Sequence, residues 1–316
     1  MCYSAMTAAY LKELEHLGRL DRAGMAELFR LRQMRGKVPV PFALDRSFDN
    51  PRDDWEREMQ GLRDAWRVDR EQEWQAELFK QRKRLADAER FLAAKPTKKA
   101  AEDQRIASSK ADILMGWLAN LRRATPDPED GRIFPFWYAP VIVKRDGKRV
   151  VTPMRYHLRR ARAPAAEDRK FPGLYNARRD NLQKFWRNQF GHKHAILVAT
   201  SFFENVAKHN VEHRELQPGE RPENVVLQFQ PTPPHAMYLA CLWDRWEGDG
   251  EVLHSFAAIT DEPPAEVAAA GHDRCVIPIA EKNIDAWLTP EGRSTEELFA
   301  ILDERERPYY EHRLAA

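Results

Sequence analysis

Apolar residues in the first third of the chain recur at helical steps. From Thr7 to Met34, the positions Leu11, Leu14, Leu17, Leu20, Met25, Leu28 and Leu31 return mostly every third or fourth residue, with interruptions near Gly18 and Gly24. Val38-Pro-Val-Pro-Phe breaks the pattern, because proline pushes its predecessor out of the helical region. Asn50 and Pro51 then read as the cap and first turn of a new helix. Its stripe runs through Trp55, Met59, Leu62, Trp66, Trp74, Leu78, Leu85 and Leu92. A turn at Lys95-Pro-Thr, with Thr97 as cap, leads to a second helix ending near Arg123, with Ile106, Ile113, Leu114, Trp117 and Leu121 on one face. The two form a helical hairpin. Tryptophans at this spacing read as packing residues, and the charges around them as a solvated face.

The texture changes after the Pro- and Asp-rich stretch at 124–131. From Ile133 the chain carries short β-like runs at 139–143, 150–152, 195–200, 225–229, 237–243, 255–260 and 275–279. Asp146-Gly147 between two of them is a hairpin signal. Few helices separate the runs, so the expected fold class is α+β, an antiparallel β-rich core with a long helical hairpin inserted in the N-terminal third. The expected division is 1–20 with 131–316 as the core and 21–130 as the insertion. No repeat and no glycine-rich phosphate loop interrupts this picture.

Composition narrows the class. The chain has 316 residues, of which 43% are hydrophobic and 32% charged. No run approaches the roughly 20 apolar residues of a membrane span, and the first residues lack a secretory pattern. The expectation is a cytoplasmic protein with no membrane partner. Three cysteines, Cys2, Cys241 and Cys275, are too few and scattered for a disulfide framework. A zinc site built from Cys2, His272 and Cys275 lacks the usual ligand spacing, so no metal and no cofactor are expected.

Candidate chemistry begins at Cys2. Once Met1 is trimmed, this residue carries an α-amine with a pKa of about 7.7–8.0 and a thiol of about 8.5. Both have reactive fractions near neutral pH. A 1,2-aminothiol attacks an aldehyde twice, first through the amine to give a Schiff base, then through the thiolate to close a thiazolidine. The bland alternative is a cysteine that happens to sit in a frayed terminus.

Three further segments bear on the choice. Leu174-Tyr-Asn-Ala-Arg-Arg-Asp-Asn contains Asn176 and Arg178. A β-like run ends in Phe202-Phe203-Glu204. A Thr260-bearing run precedes Gly271-His272-Asp273-Arg274-Cys275. In this order, with a cysteine at position 2, the chain resembles the SOS response-associated peptidase family, proteins that shield abasic sites in single-stranded DNA. The resemblance extends from about Ile133 to Trp287.

It implies that Asn176 holds the nucleophile and the opened sugar, that Glu204 relays protons, and that His272 is the general acid for ring opening. It also implies a phosphate contact for Arg178. Taken singly, Glu204 reads as a surface carboxylate, His272 as a structural histidine and Asn176 as a turn residue.

The charge map points the same way. Residues 144–193 hold fifteen bases against four acids, interleaved with Tyr156, Tyr175, Phe185 and Trp186. Single-stranded DNA binders combine basic grooves with aromatic platforms, so Arg155, Arg160 and Arg178 are the expected DNA contacts. A solubilising face is the competing reading.

The sequence also departs from the family. Tyr3-Ser4 replaces Gly-Arg after the cysteine, and the Trp-Gly-Leu segment becomes Tyr156-His157-Leu158, which loses the tryptophan wedge. The helical hairpin has no counterpart in compact members, and its partner is left open. Two other functions stay in play: an N-terminal-nucleophile cysteine peptidase, and a non-catalytic DNA-binding or docking protein.

Overall fold

The computed structural model describes residues 4–248 and 250–315, so Cys2 lies outside the described residues. Strand β1 (Ser4–Thr7) is followed by helix α1 (Leu11–Leu14), strand β2 (Arg19–Leu20), and helices α2 (Arg22–Arg35) and α3 (Phe42–Arg46). The long helices α4 (Asp54–Ala94) and α5 (Lys98–Arg122) come next. Strands β3 (Arg132–Ile133), β4 (Tyr138–Arg145) and β5 (Lys148–Tyr156) lead through α6 (Glu167–Lys170) to β6 (Asn176–Arg178). Then come β7 (His194–Ala207), α7 (Lys208–Val211), β8 (Asn224–Thr232), β9 (Met237–Gly248) and β10 (Glu251–Asp261). The last elements are α8 (Ala265–Ala269), β11 (Cys275–Val276), α9 (Ile284–Leu288), α10 (Thr295–Asp303) and β12 (Tyr309–Leu314). The fold class is α+β, as the periodicities predict.

Two compact units emerge, Met1–Ala26 with Val38–Ser47 and Pro128–Ala316, and Glu27–Lys37 with Phe48–Asp127. In the first, β5 pairs with β4, β4 with β7, β7 with β9, β9 with β10, and β10 again with β5. These strands therefore close into a ring. Most pairings are antiparallel, while β10 runs parallel to β5 and β6, and β2 parallel to β5. Along β7 the side chains alternate between two cores, Ala195, Leu197 and Ala199 on one side and Ile196 and Val198 on the other. Because both faces are covered, this strand reads as a continuous apolar run. Asp146 and Gly147 turn the β4–β5 hairpin with φ values of 51° and 73°, the paired positive φ of a type I′ turn.

The stretch from Thr7 to Met34 is helical only in part: α1 and α2 are present, but β2 separates them. β1 lies between β3 and β7, and β2 adds to β5. Gly18 allows that approach, since a Cβ there would stand 2.9 Å from the Arg149 carbonyl oxygen. Strand β12, paired along β8, was not foreseen either. Nor was α10, which carries a full capping box between Ser294 and Glu297.

In the second unit, α4 starts three residues later than Asn50 predicts, at a cap where the Asp53 side chain accepts from the Glu56 N–H at 2.8 Å. Thr97 caps α5 as expected, accepting from Ala100 N–H at 3.2 Å. The buried face of α5 differs from the predicted one. It comprises Ala100, Ala107, Ala111, Leu114, Leu118 and Leu121, whereas Ile113 and Trp117 are half exposed. Alanines are weak markers of a hydrophobic stripe, yet they let helix axes come close. Trp66 is a packing residue, with its indole N–H donating to the Gly36 carbonyl.

Candidate active site

Glu204 stands in the second half of β7, between β1 on one edge and β8 on the other. It is fully buried. Ser4, the first described residue, pairs in register with Phe203, immediately before Glu204. Arg132, on β3, lies over the Phe203 ring at 3.8 Å and places its Nε 3.3 Å from Ser4 Oγ. This cation was missed in the sequence because it stands alone, outside every recognised box.

The partner of Glu204 is His272, whose Nε2 lies 3.2 Å from Glu204 Oε2. Gly271 makes this placement possible. Its φ is +92°, and a Cβ would stand 2.8 Å from that of Asn210 and 3.0 Å from Val206 Cγ1. Only glycine fits such a turn without displacing β7 or α7. The His272 Nδ1 is 2.9 Å from the Arg274 carbonyl oxygen. A carbonyl has no hydrogen to give, so Nδ1 carries one. The Arg274 N–H, 3.3 Å from the same nitrogen, cannot donate to it simultaneously, and the shorter contact decides.

A hydrogen between Nε2 and Glu204 joins the two groups, since a bare lone pair facing a bare carboxylate would repel. Burial lowers the pKa of His272 below its ordinary 6.5, opposing the imidazolium form. The 3.2 Å geometry suits the pair to hold one proton between them.

Asn176 is buried on β6, which runs beside β10 with Asn176 opposite Ala258 and Arg178 opposite Thr260. Thr260 also pairs with Val276 of β11, so β6 and β11 flank the end of β10 on opposite edges. The strand leaving the His272 turn is thereby tied to the strand carrying Asn176. Arg178 is exposed and donates to Asp180, with Asp273 near enough to stabilise its charge. Cys275 is buried, and burial pushes its thiol pKa up, so it is no nucleophile. Among the described residues no group of three His, Cys, Asp or Glu side chains could hold a metal ion.

The basic run fares differently from its appearance in the sequence. Arg155 and Arg159 both engage Asp168, and Arg160 engages Glu167 while covering the Phe185 ring at 4.4 Å. Carboxylates distant in sequence neutralise others: Asp21 holds Arg145, Asp285 holds Arg149, Asp261 and Asp303 hold Arg179, and Asp244 holds Lys193. A linear count cannot see acids that the fold imports. The exposed bases that remain include Lys148, Arg162, Arg169, Lys170, Lys184 and Arg187.

Where the resemblance leads one to expect Trp-Gly-Leu, His157 occupies the glycine position at φ +149° and is buried. It stacks on Phe136 at 4.3 Å, itself at φ +73° and 39% exposed. Two non-glycine residues in this region store backbone strain of order 1–3 kcal/mol each. Arg155 lies 5.4 Å from the same Phe136 ring. Nothing in the sequence singles out Phe136.

The SOS response associated peptidase (SRAP) sequence model matches residues 90–314. The chain belongs to this family. SRAP membership places it among proteins associated with the SOS response to DNA damage. Solved structures similar to it include a Bacteroides thetaiotaomicron protein, 18% identical, covering 59% of this chain and 78% of that one with a TM-score of 0.46. A Bordetella bronchiseptica protein is 17% identical, with coverages of 59% and 87% and a TM-score of 0.47. A phage-related protein from the same organism is 16% identical, with coverages of 58% and 81% and a TM-score of 0.43. No curated protein matches the chain. No helix among the described residues is long and apolar enough to cross a membrane.

Proposed function

We propose that this SRAP protein binds single-stranded DNA and captures abasic sites covalently through Cys2. The observation that carries the reading is the buried Glu204–His272 pair, 3.2 Å apart and beside the strand that begins at Ser4. Two residues of chain reach about 7 Å at most, so position 2 lies within that span of Ser4, which pairs with the residue preceding Glu204. In the closed sugar the aldehyde is masked. A proton donated from the Glu204–His272 pair to the ring oxygen opens it, and the 1′-hydroxyl proton returns to the pair as the aldehyde forms.

The Cys2 α-amine then adds to C1′, and loss of water gives the imine. Attack of the thiolate on the imine carbon closes the thiazolidine, with the nitrogen taking up a proton. The net change is one amine, one thiol and one aldehyde converted to a thiazolidine and one water. The adduct has no free aldehyde to drive β-elimination, which protects the strand from scission. Asn176 orients the opened sugar, Arg178 takes a phosphate, and the exposed Phe136 ring supplies the stacking surface that the missing tryptophan would have given. Arg155 and Arg160 act through the ion pairs that shape this wall.

The test is incubation of protein with a native N-terminus, its Met1 removal verified by intact mass, with an oligonucleotide bearing one abasic site. The expected result is a band shift on a denaturing gel, absent for Cys2→Ala and for protein tagged ahead of Cys2. An unshifted band with the native protein overturns the reading and leaves a thiol peptidase or a non-covalent DNA binder.

A further inference from the structure

The helical unit carries a groove that the proposed chemistry does not use. Near the closed end of the hairpin, α4 and α5 part around a cavity of about 700 Å³, within the size of ordinary ligand sites. Its apolar surface comes from Ala88, Ala100 and Phe91, the last 68% exposed. Small alanines in the seam open the space, and the Phe91 ring forms a wall with one face free.

The rim is basic. Lys83, Lys95 and Lys99 line it and are exposed, and no carboxylate lies within ion-pair distance of them among the described residues. The two acids of the lining are occupied: Asp103 holds Arg84 and Asp87 holds Arg90. Uncompensated positive charge thus surrounds an apolar floor.

The geometry points to a docking groove for an acidic peptide segment of another protein, with an aromatic or aliphatic side chain seated against Phe91 and its carboxylates facing the three lysines. Charge complementarity selects the acidic partner, and the two helix walls supply a groove of the type that accepts short apolar anchors. A nucleic acid fits less well. It would require successive aromatic platforms, whereas this groove offers one ring, and its one lining arginine, Arg84, is taken up by Asp103.

The experiment uses the full chain and a short fluorescein-labelled peptide of Asp and Glu carrying one Phe and one Leu, read by anisotropy. Binding is expected to fall by about tenfold or more in Phe91→Ser and in the combined Lys83→Glu, Lys95→Glu, Lys99→Glu variant. Replacing the peptide's Phe and Leu by Ser should weaken it comparably. All four positions are exposed, and circular dichroism of each variant checks that the helices persist. No binding, or binding that the variants leave unchanged, overturns the proposal. Tighter binding of oligothymidine than of the peptide, lost in the same variants, overturns it in favour of a nucleic-acid groove.

Discussion

Two buried histidines of the sheet unit do opposite work. His194, stacked on Trp287 with ring centroids 3.8 Å apart, gives its Nδ1 hydrogen to the Trp287 carbonyl at 2.9 Å and receives the Gly191 N–H on Nε2, also at 2.9 Å. Both nitrogens are satisfied by backbone, so the ring is locked as one neutral tautomer. His272 makes the same kind of bond through Nδ1 but turns Nε2 to a carboxylate. One ring has both nitrogens taken by backbone, while the other faces a carboxylate. Burial alone therefore does not mark a histidine as functional. The partner of the second nitrogen is what distinguishes these two.

Removing each ring should separate the two roles. The largest effect is expected for His194→Ala, which empties an aromatic stack and strands two backbone groups, at about 3–4 kcal/mol in urea unfolding. Crosslinking per folded molecule should stay at the native rate, and a rate collapse without loss of fold would break the comparison. The wild type should also show His194 in its pH dependence. Its folded pKa is lowered to about 3 from 6.5, so the stability it contributes is full above pH 6.5 and drains as pH falls toward 3. Between pH 6.5 and about pH 5 this amounts to about 2 kcal/mol, a slope that His194→Ala should lack.

Next in size, Glu204→Gln and His272→Gln should each slow adduct formation by roughly a hundredfold, with the double variant no slower than either single one. Strictly multiplicative losses in single-turnover gels would show that the two side chains do not act as a unit. Gly271→Ala forces a Cβ into Asn210 at a φ alanine resists, and should cost about 2 kcal/mol in thermal unfolding together with a measurable loss of rate. Smallest, Phe136→Ala should weaken binding of an abasic strand by about 1–2 kcal/mol without altering the rate at saturation. Unchanged affinity would remove Phe136 from the interface.

How much of this was legible beforehand follows from what each signal depends on. The strands of the ring carry apolar runs or alternation in their own residues, and the Asp146-Gly147 turn declares itself in two letters. The stripe through Leu11 and Leu14 does lie in helix, as α1, whereas β1 and β2 exist only through partners far along the chain and leave no local signal. The boxes around Glu204 and His272 were readable as ordered motifs, but their direct contact depends on the Gly271 turn and could not be. Arg155 looked like a free cation until the fold placed Asp168 beside it. Phe136 was passed over because a strained, half-exposed ring has no sequence signature.

The register of β1 has a consequence in time. Its neighbours are Arg132–Ile133 and the stretch from Ala199 to Phe203, so during synthesis the first strand has no partner until well over a hundred residues have followed it. At about 5–20 residues per second, residue 203 is reached only after roughly 10–40 s. Throughout that interval β1 lacks at least one of its two strand neighbours. On the proposed function, removal of Met1 would fall within this window, before β7 closes β1 into the sheet.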